Sequence, residues 1–107
     1  MTDTITVLLA DDHTLVRRGF RRLLEDDPAI TVVGEASDGD EAVRLAATLA
    51  PRVIMMDCAM PGTSGLVATR RILQQNPNIA IVMLSMPGKT SMAMPTGNAS
   101  DAANRTP

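Results

Sequence analysis

Residues 53 to 56, Val-Ile-Met-Met, form an apolar run without alternation, and the run ends in a carboxylate, Asp57. A strand with one wet face alternates polar and apolar residues. A run that does not alternate suits a strand covered on both faces, as in a parallel sheet. Open α/β sheets bind their ligands at the carboxyl ends of the strands, which is where Asp57 would stand. Pro61, Gly62 and Gly65 follow, marking a loop whose backbone can approach a bound group closely.

The rest of the chain repeats the same grammar. Ile5 to Ala10 reads as a buried first strand, followed at once by Asp11 and Asp12. Residues 14–26 have helical period, with Leu15, Val16, Phe20, Leu23 and Leu24 on one face and Arg17, Arg18, Arg21 and Arg22 mostly opposite. With Glu25, Asp26 and Asp27 beside them, the arginines are expected to be a solvated face, not a nucleic-acid patch. Ile30 to Ala36 is a second, β-branched strand. Asp38 then caps a helix, with Glu41 three residues on in a near capping box. That helix is expected to pack through Ala42, Val43, Ala46, Ala47 and Leu49 and to stop at Pro51. Ser64 can cap a third helix over residues 65–76, with Leu66, Val67, Ile72 and Leu73 inward. Residues 79–84 form a fourth apolar strand ending at Ser85.

The character changes after that. Residues 87–107 hold no Ile, Leu, Val or Phe and are rich in Pro, Gly, Ser, Thr, Asn and Ala. Such a stretch buries too little apolar surface to offset its ordering entropy, so a polar, disordered tail is expected. The domain proper is therefore placed at residues 1–86. A length of 107 residues suits one modest core, and a net charge of −2 argues against broad nucleic-acid binding. The single cysteine, Cys58, excludes an internal disulfide, and no run approaches the roughly 18 apolar residues of a membrane span. A cytoplasmic protein without a membrane partner is expected.

Right-handed βαβ connections put strands one and three side by side, so that Asp11 and Asp12 face Asp57 across one crevice. Three carboxylates held close repel one another unless a cation sits among them, and hard oxygen ligands with places left for water and phosphate suit Mg²⁺. A carboxylate attacking phosphorus beside such a cation gives an aspartyl phosphate. Ser85, at the tip of strand four, could donate a hydrogen bond to a phosphoryl oxygen. The alternative readings are plainer: Asp11 and Asp12 as helix caps, His13 as a solvated loop residue, Cys58 as a small packed side chain, Ser85 as a strand-end cap.

Leu-Leu-Ala-Asp11-Asp12-His, Met-Asp57-Cys-Ala-Met-Pro-Gly-Thr-Ser-Gly65 and Val-Met-Leu-Ser85-Met together resemble the receiver domain of bacterial two-component response regulators. The resemblance is nearest to the subfamily with a helix-turn-helix output domain, and it spans residues 5 to 86 in order and spacing. It implies a flavodoxin-like, doubly wound parallel sheet of strand order 2-1-3-4. It implies that Asp57 takes a phosphoryl group from a histidine kinase, that Asp11 or Asp12, Asp57 and the Ala59 carbonyl bind Mg²⁺, and that Ser85 is the switch hydroxyl.

The chain also departs from the pattern. The family continues to a fifth strand ending in a lysine, whereas Lys89 here follows Pro87-Gly88, and that lysine's role is not transferred to it. The expectation is a receiver cut short after its fourth strand, the fifth strand and last helices missing or replaced. It would have impaired switching, no output domain and hence no direct DNA binding. It would not be an enzyme with an external substrate, being at most self-phosphorylating. The competing expectation is a non-signalling assembly module. In either case the uncharged run 79–86 would present an unpaired edge, and a homodimer through strand four or by segment exchange is expected.

Overall fold

The apolar runs become strands where the pattern places them. β1 (Ile5–Ala10), β2 (Ile30–Ala36), β3 (Val53–Asp57) and β4 (Ala80–Leu84) alternate with α1 (Thr14–Glu25), α2 (Gly39–Leu49) and α3 (Gly65–Gln75). This computed structural model describes residues 4–84; Ser85, Lys89 and the polar stretch 87–107 lie outside the described residues. Every strand pair is parallel and the order is β2-β1-β3-β4. This is the flavodoxin-like arrangement that the sequence implies. No helix among the described residues is long and apolar enough to cross a membrane.

β1 lies between β2 and β3, and its residues Val7 to Ala10 are almost wholly buried. On one face of the sheet Leu8, Ala10, Ile54 and Met56 pack with Ala42 and Ala46 of α2 and with Ala68 and Ile72 of α3. On the other, Val7, Leu9 and Val32 meet Phe20 and Leu24 of α1. The small residues on α2 let it lie close to α3 and to the sheet, as close packing of aliphatic side chains requires.

Local chemistry sets the helix ends. The Asp38 carboxylate accepts the Glu41 N–H and the Ser64 hydroxyl accepts the Val67 N–H. Glu41 reaches back to the N–H and hydroxyl of Ser37, one residue beyond the usual capping-box partner. Ala50 closes α2 in the left-handed region at φ 46°.

Three expected faces are revised. Leu66 and Val67 of α3 are exposed, and the residues facing inward are Gly65, Ala68 and Ile72. The Ser64 cap fixes the phase of the helix, and at that phase only small side chains fit beneath its first turn. In α2, Ala47 and Leu49 turn outward while Gly39, Ala42 and Ala46 are buried. In α1, Leu15 and Leu23 are 84% and 69% exposed, so only the Phe20–Leu24 half of its apolar stripe meets the sheet.

The arginine face of α1 is not simply solvated either. Arg17 Nε and Arg21 Nη1 each lie 2.6 Å from a different oxygen of Glu35 on β2. Hydrogen bonds from Arg17 and then Arg21 hold the Glu35 carboxyl below its ordinary value of 4.5. Above pH 4.5 Glu35 is ionised in the folded and unfolded chain alike, and the clamp contributes in full. As pH falls through the lowered folded value, that contribution is lost. Thermal melts taken from about pH 6 down to about pH 3 are therefore expected to fall less steeply for Glu35→Gln than for the parent chain. Equal slopes would mean the clamp is too weakly coupled to folding to matter.

Candidate functional site

β1 and β3 are adjacent and parallel, with Ala10 in register with Met56, so the residues that follow them emerge together. Asp11 extends β1 by one step, its N–H donating to the Ala36 carbonyl at 3.0 Å. Asp57 ends β3 opposite Leu84 of β4. Both side chains are carried on the central strands, and both residues are buried, at 3% and 1% exposure.

The turn after β1 shapes itself around Asp11. Oδ1 of Asp11 accepts the His13 N–H at 2.8 Å, closing an Asx turn. The N-cap of α1 is His13, without any side-chain cap bond. The Asp11 carboxylate thus bonds the N-cap residue's own N–H. After β3, Oδ1 of Asp57 accepts the Ala59 N–H at 3.0 Å, which fixes the rotation of the carboxylate. Ala59, expected from the resemblance to offer its carbonyl, stands two residues beyond Asp57 in this exposed loop.

One ligand atom each from Asp11, Asp12, His13 and Asp57 lies within 4.8 Å of all the others. The sequence brought together the three aspartates; His13 is the addition. Its ring is half-exposed, as a loop residue's would be, yet Nδ1 is 3.1 Å from Asp12 Oδ1 and 3.4 Å from Asp11 Oδ1. Its position next to Asp12 was the only signal for it.

The donor set fits a hard divalent cation. Oδ2 of Asp11 is buried with no hydrogen-bond partner. Leaving such an oxygen without a donor costs about 1–3 kcal/mol, a cost that a cation among the carboxylates removes. The oxygens come from carboxylates on two rigid strand ends and a turn, the hard donors that Mg²⁺ prefers.

The loop between β3 and α3 is held over this end of the sheet. Cys58 N–H donates to the Leu84 carbonyl and Gly65 N–H to the Cys58 carbonyl, both at 3.2 Å. Cys58 is a half-buried free thiol. Thr63 donates its hydroxyl to Asp40 of α2 at 2.8 Å. Ser85 and Lys89 lie outside the described residues.

Comparison with known proteins adds an independent line. Residues 7–101 match the family described as the response regulator receiver domain, past residue 86, where the motif resemblance stops. The chain is 47% identical over 105 residues to the response regulator UvrY of Escherichia coli, covering 92% of this chain and 48% of that one. It is 49% identical over 81 residues to the transcriptional regulatory protein LiaR of Bacillus subtilis, covering 76% of this chain and 38% of the relative. The chain thus spans about half or less of the length of these relatives. Among solved structures it is similar to a LuxR-family two-component response regulator from Aurantimonas, with a TM-score of 0.75 and 42% identity over 78% of this chain and 60% of that one. The response regulator domain of Thermotoga maritima CheB matches with a TM-score of 0.74 and 36% identity, over 79% of this chain and 65% of that one.

Proposed function

Since this chain belongs to the response regulator receiver domain family, we propose that it is a phosphoacceptor in which Asp57 takes a phosphoryl group from the phosphohistidine of a histidine kinase. A carboxylate oxygen of Asp57 forms a bond to phosphorus as the phosphorus–nitrogen bond breaks, and the leaving imidazole keeps the electron pair and takes up a proton. The Ala59 N–H on Oδ1 orients the carboxylate for in-line approach. Asp11 and Asp12, with Asp57 itself and the Ala59 carbonyl, would hold Mg²⁺. Bound there, Mg²⁺ supplies positive charge between an anionic nucleophile and an anionic phosphoryl group. Ser85, directly after β4, would donate its hydroxyl to a phosphoryl oxygen.

The observation that carries this reading is the buried, unpartnered Oδ2 of Asp11 within a cluster that includes Asp57. Intact mass after incubation with acetyl phosphate and Mg²⁺ tests it, as argued below. Lys89 is given no phosphoryl contact, and on this reading the response to phosphorylation stays local to the Asp57 loop and Ser85. Amide exchange with and without a phosphoryl mimic checks that; protection changes spreading across α1 or α2 would contradict it.

An assembly role is the second reading, and one observation favours it. β4 stands at the sheet edge among the described residues, with Val82 46% and Met83 37% exposed. An apolar edge with unpaired N–H and C=O groups pairs readily with another chain. Ile81 packs on the core beneath, so Val82 is the clean probe. A homodimer is expected by sedimentation equilibrium at micromolar concentration, with Val82→Lys a monomer. A parent chain that sediments as a monomer would remove this reading.

A further inference from the structure

The clamp between α1 and β2 also touches the acidic site. Arg17 Nη1 donates to the backbone carbonyl of Asp11 at 2.6 Å, while Nε of the same guanidinium donates to Glu35 Oε1 at 2.6 Å. Arg21 Nη1 engages the second oxygen of Glu35 at 2.6 Å. The Arg17 side chain is only 13% exposed and that of Glu35 22%, so the fork is held in place, not waving in water. A planar guanidinium that bridges two fixed acceptors sets the orientation of both. Here one acceptor is the peptide that joins Asp11 to Asp12, two members of the four-residue cluster.

We infer that Arg17, oriented by Glu35, is a positioning residue for the Asp11–Asp12 turn, and that it sets Mg²⁺ affinity without touching the ion. The fork holds the Asp11 carbonyl against α1, and with it the direction in which the two carboxylates leave the chain. The Asx bond from His13 fixes the Asp11 side chain, the ladder bond to Ala36 fixes its N–H, and the Arg17 fork adds a hold on its carbonyl. Glu35 also balances the charge of Arg17, so the guanidinium stays on the carbonyl and does not swing to the neighbouring carboxylates. Groups that hold ligands from outside the coordination sphere are worth about tenfold or more in metal affinity.

Charge and geometry predict opposite signs, which makes the proposal testable. Removing a cation near an acidic site by electrostatics alone tightens Mg²⁺ binding. Removing a positioning group loosens it. The affinity readout rests on the Mg²⁺ reading above; the exchange readout does not. The experiment is a Mg²⁺ titration of the ¹⁵N-labelled full chain at fixed ionic strength, with amide exchange measured in the metal-free protein. Arg17→Met is expected to bind Mg²⁺ about tenfold more weakly and to exchange its His13 amide faster. Arg17→Lys, which keeps the charge and loses the fork, is expected to follow Arg17→Met. Arg18→Met, the same charge change at an exposed neighbour, is expected to match the parent or bind slightly tighter. Glu35→Gln, nearly isosteric, serves if the Arg17 variants do not fold; its readout is the His13 amide, expected to exchange faster than in the parent, because losing an anion weakens Mg²⁺ binding by charge alone. Affinity in folded Arg17→Met equal to or tighter than the parent's overturns the inference. So does unchanged His13 exchange. A parent chain with no Mg²⁺ response overturns the metal reading alone, and His13 exchange then decides the positioning role.

Discussion

Asp57→Asn is expected to gain no mass from acetyl phosphate and Mg²⁺ under conditions in which the parent chain gains one phosphoryl group. The effect is all or nothing because the amide oxygen that replaces the carboxylate is a far poorer nucleophile and cannot form the acyl phosphate. Asp11→Asn tests the other half of the site. It places a neutral amide where a buried, unpartnered oxygen faces other carboxylates. Without Mg²⁺ that variant is expected to be more stable than the parent by about 1 kcal/mol or more, since one unsatisfied buried charge is gone. With Mg²⁺ the order narrows or reverses: a cation at tenfold its dissociation constant stabilises the parent by about 1.4 kcal/mol, and Asp11→Asn gains little of it. Phosphorylation of Asp11→Asn is expected to be slow and insensitive to Mg²⁺. Equal mass gain in Asp57→Asn would move the phosphoacceptor elsewhere. Equal Mg²⁺ stabilisation in Asp11→Asn would take Asp11 out of the cation site.

Much of this site was legible because strands announce their own ends. An unalternated apolar run suits a strand inside a parallel sheet, so the carboxylate after it is expected at a strand tip, although the equally apolar β4 is largely exposed at the edge of the described sheet. That argument puts Asp11 and Asp57 at strand ends, and the parallel register of Ala10 with Met56 sets those ends side by side. Helix faces were harder. Leu66 and Val67 next to Ile72 and Leu73 permit two phases, and the deciding residues, Gly65 and Ala68, carry almost no hydropathy signal. The Arg17–Glu35 clamp was missed for a different reason. Arginines on a helix beside Glu25 and Asp26 look solvated, and nothing local says that a glutamate on the next strand lies under them. The clue was present: Glu35 is the one charged residue in β2, and Arg17 and Arg21 are spaced to meet both of its oxygens. Pairing across a sheet face needs topology, which periodicity alone does not supply.

The same substitution at two glycines of this chain is expected to act with opposite signs. Gly19 sits inside α1, and a Cβ there would meet nothing within 4 Å. Alanine loses less backbone entropy than glycine in a helix, so Gly19→Ala is expected to stabilise by about 0.5–1 kcal/mol. Gly65 begins α3 beneath the β3–α3 loop. A Cβ there would overlap the Asp57 carbonyl oxygen and lie 2.7 Å from Cys58 Cα. Both neighbours are backbone, so neither can rotate aside; either α3 or the phosphoacceptor's own peptide must move. Overpacking a closed site costs about 1–3 kcal/mol, and with no flexible side chain to yield, the upper end applies. Gly65→Ala is therefore expected to lower the melting temperature by about 10 °C or more, at about 4–8 °C per kcal/mol for a domain of this size. Gly19→Ala is expected to raise it by several degrees. Below its melting temperature Gly65→Ala should also accept phosphate more slowly than the parent, because the shifted Asp57 peptide carries the carboxylate with it, whereas Gly19→Ala should keep the parental rate. A Gly65→Ala chain that melts at or above the parent, and phosphorylates as fast, would show that α3 can slide outward at little cost. The close approach of α3 would then not be what holds Asp57 in place.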